Sequence, residues 1–84
     1  MRLYLLEPVT ASREAKGGPW DPWYDKAFGF VVRAESEAEA RAMVAEGEAG
    51  DEGAEAWLNA EHSTCEELTS EGEAMIIIRD FAAA

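Results

Sequence analysis

The sequence predicts an α+β fold, a small three-stranded sheet with one main helix packed on it plus a short helical turn. Three observations predict it. Phe28, Phe30, Val32 and Ala34 alternate with Gly29, Val31 and Arg33, the period-2 pattern of a strand with aromatic and β-branched weight. Ser36 and Glu39 form a capping box ahead of Ala40, Met43 and Val44, which fall on one stripe at helical spacing. Met75 to Ile78, running on through Arg79-Asp80-Phe81, is apolar on both faces, as a central strand is.

The elements follow in order. Arg2 to Leu6 reads as a strand with Leu3 and Leu5 on one face and Tyr4 and Leu6 on the other, so an inner position is expected. Pro8 ends it, having no N–H for a ladder. Thr10 to Pro22 reads as loop, with Gly17-Gly18-Pro19 and Asp21-Pro22 as turn signals. Gly29 in the next strand marks a bulge or a close backbone approach. The helix stops at Gly47 or Gly50. Gly50-Asp51-Glu52-Gly53 is a loop, and Ala54 to Leu58 a short strand or a turn of helix that brings Trp57 and Leu58 inward. Ser63-Thr64-Cys65-Glu66 matches a second capping box, opening one helical turn that ends near Leu68. The three closing alanines are expected to fray. The order allows a right-handed crossover and equally an antiparallel or mixed sheet. Phe28, Phe30, Val32, Met43, Val44, Ile76 and Ile78 are the expected core.

Residues 1–84 make a single domain, and only one small core. Of the 40 hydrophobic residues 16 are alanine, so a large enzyme cleft would consume much of the packing. No stretch approaches the roughly 20 apolar residues of a membrane helix. The start, Met1-Arg2-Leu3-Tyr4-Leu5-Leu6-Glu7, lacks the apolar run of a secretion signal, and a lone cysteine fits a reducing compartment. A cytoplasmic protein with no membrane contact is expected.

The charge is unevenly placed. The chain carries a net −11, yet between Ala34 and Glu73 stand 13 acids and one base, Arg41. The other 44 residues hold 5 acids and 6 bases. Direct binding to nucleic acid is thereby disfavoured. A solvated face that keeps a small protein soluble, or a halophile-type surface, is the plainer account of such a run. Natural surfaces intersperse both signs, however, because like charges at i,i+4, such as Glu35 and Glu39, destabilise. Self-repulsion in a small domain therefore points to a use. Duplex DNA carries one charge per about 1.7 Å of axis, so twelve charges match about 20 Å of duplex, on a domain about 30 Å across. The candidate partner-binding residues are Glu35, Glu37, Glu39, Glu46, Glu48, Asp51, Glu52, Glu55, Glu66 and Glu67.

Two other features carry candidate chemistry. His62, Cys65 and Glu66 could face one metal or form a nucleophile with its base, but zinc needs four ligands and no further His or Cys exists. Cys65 as a small buried hydrophobe and His62 as a surface or capping residue is the expected reading, with no cofactor and no enzymatic activity. The loop Trp20-Asp21-Pro22-Trp23-Tyr24 is either a protein-binding anchor or a cover over the open sheet face, and the cover is expected.

A small, single-domain, strongly acidic chain of compact α+β pattern resembles the anti-CRISPR inhibitors of phages and mobile elements. Within that group it looks most like the acidic inhibitors of type I surveillance complexes, type I-C among them. The stretches Trp23 to Ala34 and Trp57 to Leu68, with Ile78-Arg79-Asp80-Phe81, carry the likeness in character; the group shares no signature motif, so no residue role transfers by position. The resemblance implies a non-enzymatic inhibitor whose partner is a basic DNA-binding subunit of the complex; no oligomeric state is legible in the sequence, a monomer being the favoured one. An acidic accessory or antitoxin-like protein neutralising another basic partner is the alternative.

Overall fold

The computed structural model describes residues 1–81; the closing alanines lie outside the described residues. It contains β1 (Arg2–Pro8), α1 (Thr10–Glu14), β2 (Phe30–Ala34), α2 (Glu37–Ala45), α3 (Ala54–Leu58) and β3 (Ser63–Leu68). The sheet is antiparallel throughout with order β2-β1-β3. The fold is α+β, as the sequence predicts, and β1 is the central strand. Its register is one-to-one on both sides, Tyr4 facing Val32 and Glu67, Leu6 facing Phe30 and Cys65. No bulge interrupts the pairing with β2, because Gly29 falls just outside that strand.

Strand alternation sends Tyr4, Leu6, Val32 and Ala34 to one face, where α2 and α3 close the core with Ala40, Val44, Ala56 and Trp57. Trp57 is fully buried and meets Trp20 edge-on at 5.5 Å and Phe30 at 5.0 Å between ring centroids. Ser36 Oγ accepts from Glu39 N–H at 3.2 Å, and the Glu39 carboxylate reaches back to Glu35 N–H at 3.1 Å. That reciprocal pair is the predicted capping box, its return bond falling one residue earlier than usual. The helix ends at Ala45, and Gly47 (φ 125°) supplies the left-handed residue that turns the chain away.

Five expectations are corrected. Ser63 to Leu68 is a strand rather than a capped helical turn. Ser63 Oγ is taken by Arg41 and the Trp57 carbonyl, and the free edge of β1 leaves buried backbone groups that a strand must satisfy. Residues 75–81 form no strand at all, since β3 already occupies the place beside β1. Their side chains stay largely in water, Ile76 77% exposed and Ile78 49%, so neither belongs to the core. Met43 is 45% exposed as well, on the flank of α2, while Val44 beside it is buried. Leu58 faces out where Trp57 faces in, because α3 is a helix and successive residues diverge by about 100°. Within residues 10–22, expected as loop, α1 makes one turn from Thr10; Val9 offers no side-chain cap, so no start signal was there to read.

Candidate functional site

The acids between Ala34 and Glu73 are all exposed except Glu52. Arg41, the one base among them, is buried. Its Nε meets the Glu37 carboxylate at 2.9 Å, one turn earlier on α2. Its Nη1 donates to the Trp57 carbonyl (2.8 Å) and Ser63 Oγ (2.9 Å), and Nη2 to the Ser63 carbonyl (3.1 Å). The guanidinium thus fastens α2 to the end of α3 and the start of β3, and its charge is turned inward. What this segment shows to solvent is acid alone.

The candidate acids divide into groups. Glu35, Glu37 and Glu39 stand at the N-terminal end of α2, where the helix dipole favours negative charge. Glu67 lies near them, since Arg2 Nε is 3.8 Å from its carboxylate and also feels Glu35; this exposed base offsets part of the charge there. Glu46 and Glu48 follow the last turn of α2, which carries no base, and Asp51 and Glu55 come next along the chain. The nine residues of α2 separate its two acidic ends by about 13 Å, on the order of four phosphate steps of one DNA strand. Glu66 departs from the rest: strand alternation puts it on the opposite sheet face from Glu67.

Glu52 is no surface acid. Its Oε1 accepts from Ala27 N–H (3.0 Å), and its Oε2 from Gly50 N–H (3.0 Å) and Trp57 Nε1 (2.6 Å). It pins the loop 50–53 to the chain at 25–27, with Asp51 N–H donating to the Asp25 carbonyl at 2.8 Å. A side chain at Gly50 would begin 2.6 Å from that carbonyl oxygen, so only glycine allows the approach. The structural roles of Glu52 and Arg41 were both missed in the sequence. The available signals were the glycines at 50 and 53 around one acid, and a lone base four residues after Glu37 on the Ala40–Val44 face.

His62 and Cys65 do not converge on one site. Cys65 points toward the core beside Leu6, and burial, with Glu37 nearby, pushes its thiol pKa up. His62 Nδ1 stands 2.9 Å from Ser12 Oγ, tying α1 to the turn before β3. Among the described residues no three His, Cys, Asp or Glu side chains gather as metal ligands would, and no helix is long and apolar enough to cross a membrane. The aromatic loop splits: Trp20 is buried, its Nε1 donating to the Ala27 carbonyl at 2.8 Å, whereas Trp23 and Tyr24 are exposed and pack edge-on at 6.2 Å. Comparison with family models, curated proteins and solved structures returns no match.

Proposed function

We propose that this chain is a non-enzymatic acidic ligand for the basic groove of a nucleic-acid-binding protein, which it blocks by presenting charge at DNA-like density. The resemblance to anti-CRISPR inhibitors gives the partner, a DNA-binding subunit of a CRISPR surveillance complex. One observation carries the reading: Arg41 is drawn inside, leaving a run of exposed acids from Glu35 to Glu73 with no exposed base among them. The molecule measures 37 × 28 × 19 Å, so this charge is spread over at most about one turn of duplex, at about 34 Å per turn. Such a field steers association and discriminates by sign. An antitoxin-like protein would use the same surface, and the partner that binds decides between the two.

The test is a competition assay on the isolated effector, with target DNA, across a salt series. Inhibition should accompany loss of bound DNA, and the on-rate should fall steeply as salt shortens the screening length to about 10 Å at 0.1 M. Reversing Glu46 and Glu48 together, or Asp51 and Glu55, should weaken inhibition more than reversing Arg13 and Lys16. Inhibition with DNA still fully bound would refute charge mimicry. Paired reversals without effect, alongside loss of binding in Trp23→Ala, would move the interface to the aromatic loop.

A further inference from the structure

We propose that two copies of this chain exchange their C-terminal segments, residues 75–79 of each adding as a fourth, antiparallel strand to the free edge of β2 in the other. The inference goes beyond the acidic-ligand reading and does not depend on it. The order β2-β1-β3 leaves one side of β2 without a ladder, and among the described residues no turn or loop supplies backbone hydrogen bonds to that edge. The strand lacks the usual guards of an exposed edge: Phe30-Val31-Val32-Arg33-Ala34 has no proline and a single charge. Between this edge and α2 runs a groove of about 440 Å³, lined by Phe30, Val31, Val32 and Met43 and by two charges, Arg33 and Glu48. Val31 and Met43 are both open to water there. An edge of this kind takes an extended segment by strand addition, backbone bonds giving affinity and the flanking groove giving specificity.

The chain itself holds the matching strand. Met75 to Ile78 is 49–77% exposed and belongs to no ladder. Its apolar pattern on both faces suits a strand that meets apolar neighbours on each side. The β2 edge offers both, Val31 on one sheet face and Val32 with Met43 on the other. Within its own copy the segment lies elsewhere: Ile78, Arg79 and Asp80 line a cleft with Glu7 and Gly29, at the head of the β1–β2 pair, and none of them lines the groove. A second copy is the donor. Charge sets the register. Residues directly opposite in an antiparallel pair share a face, so Arg79 opposite Phe30 comes to the α2 side, where Glu48 waits in the groove. Ile78 and Ile77 then fall opposite Val31 and Val32. A slip of one residue turns Arg79 to the other face, away from Glu48. Five residues of edge run about 17 Å, which made once falls well short of the roughly 800 Å² a side of a stable interface. The exchange makes the contact twice about a two-fold axis, and its second half is intramolecular. Residues 69–74, all exposed, with Gly72 at φ 130°, form the connecting arm, whose six residues reach up to about 20 Å.

The test is sedimentation of the full chain from about 1 to about 300 μM, with circular dichroism to verify folding. A dimer is expected within this range. Ile77→Pro removes a ladder donor from a segment outside every element of the fold, and Met43→Glu puts a charge in the groove without touching the core. Each should weaken dimerisation at least about tenfold while the circular dichroism spectrum stays that of the parent. Arg79→Glu and Glu48→Arg should each weaken it, and the two combined should restore it. Trp23→Ala, remote from both segment and groove, should leave it unchanged. A chain monomeric throughout the range overturns the proposal, the segment then staying with its own copy. A dimer lost to Ile77→Pro but not to Met43→Glu overturns the groove as the acceptor. A dimer lost to Met43→Glu but not to Ile77→Pro overturns the exchange in favour of two β2 edges pairing with each other.

Discussion

Glu52→Gln isolates the one acid of the charged segment that serves the interior. Its carboxylate accepts three hydrogen bonds, from Ala27 N–H, Gly50 N–H and Trp57 Nε1, and the residue is 7% exposed. Glutamine keeps the volume but replaces one acceptor oxygen with an NH₂ donor. In its better orientation the remaining oxygen serves Gly50 and Trp57, and the NH₂ confronts the Ala27 N–H. That buried donor loses its partner, costing about 1–3 kcal/mol. The two surviving bonds lose their charge assistance, on the order of 1 kcal/mol more. Burying a neutral group in place of a charge returns part of this. The net expectation is a loss of about 2–3 kcal/mol. A chain of 84 residues holds roughly 4–13 kcal/mol in all, and each kcal/mol moves Tm by about 4–8 °C at this size. Glu52→Gln should therefore melt about 10–20 °C lower, read by calorimetry and by urea unfolding. Asp51→Asn, one residue away and exposed, should melt within about 3 °C of the parent. A Glu52→Gln protein as stable as the parent would falsify the interior role, and equal losses at both positions would show that net charge, not the three bonds, is being measured.

The exposure of Met43 reverses its expected place in the core: Met43→Ala should cost under about 1 kcal/mol, since alanine is also the better helix former, while Val44→Ala should cost about 2 kcal/mol. Urea unfolding of the two variants checks this, and a larger loss at Met43 would contradict the packing of α2. Burial holds the Cys65 thiol above its ordinary pKa, so alkylation by iodoacetamide at neutral pH should be slower than for a free cysteine and accelerate as pH rises. Rapid labelling of the folded chain at pH 7 would mean that Cys65 is not seated against the core.

Sequence pattern located β1, β2 and α2 because each carries a local signal strong enough to survive tertiary context: alternation for the strands, a capping box for the helix. It failed where one local signal had two physical outlets. Ser63 followed by Glu66 reads as a cap, but the same serine serves as acceptor for Arg41, sixty-odd atoms of backbone away from any local rule. Residues 75–78 have the apolar, β-branched pattern of a central strand, yet propensity does not choose the partner, and β3 had taken the place beside β1 where such a strand would be central. The site was legible as a run of acids and illegible in its parts. Nothing local distinguishes Glu52 from Asp51, because the difference lies in Trp57 and Ala27, brought up by the fold.

The acids that best report on function are those the fold does not use. Glu39 caps α2, Glu37 pairs with Arg41, and Glu52 clamps a loop; reversing any of these would confuse unfolding with lost binding. Glu46 and Glu48 have no hydrogen-bonded side-chain role among the described residues, and they sit where the α2 dipole is negative and the last turn lacks a base. Each should therefore cost the folded state about 0.3–1 kcal/mol. Reversing both to lysine should raise stability by about 1–2 kcal/mol, read by urea unfolding at low salt, while it weakens inhibition of the basic partner. Opposite movements of stability and binding in one variant are expected when charge is retained for recognition at the expense of the fold. If stability rises and inhibition is untouched, these two acids are solvated surface, and the charge that matters lies with Glu35 and Glu67 around Arg2.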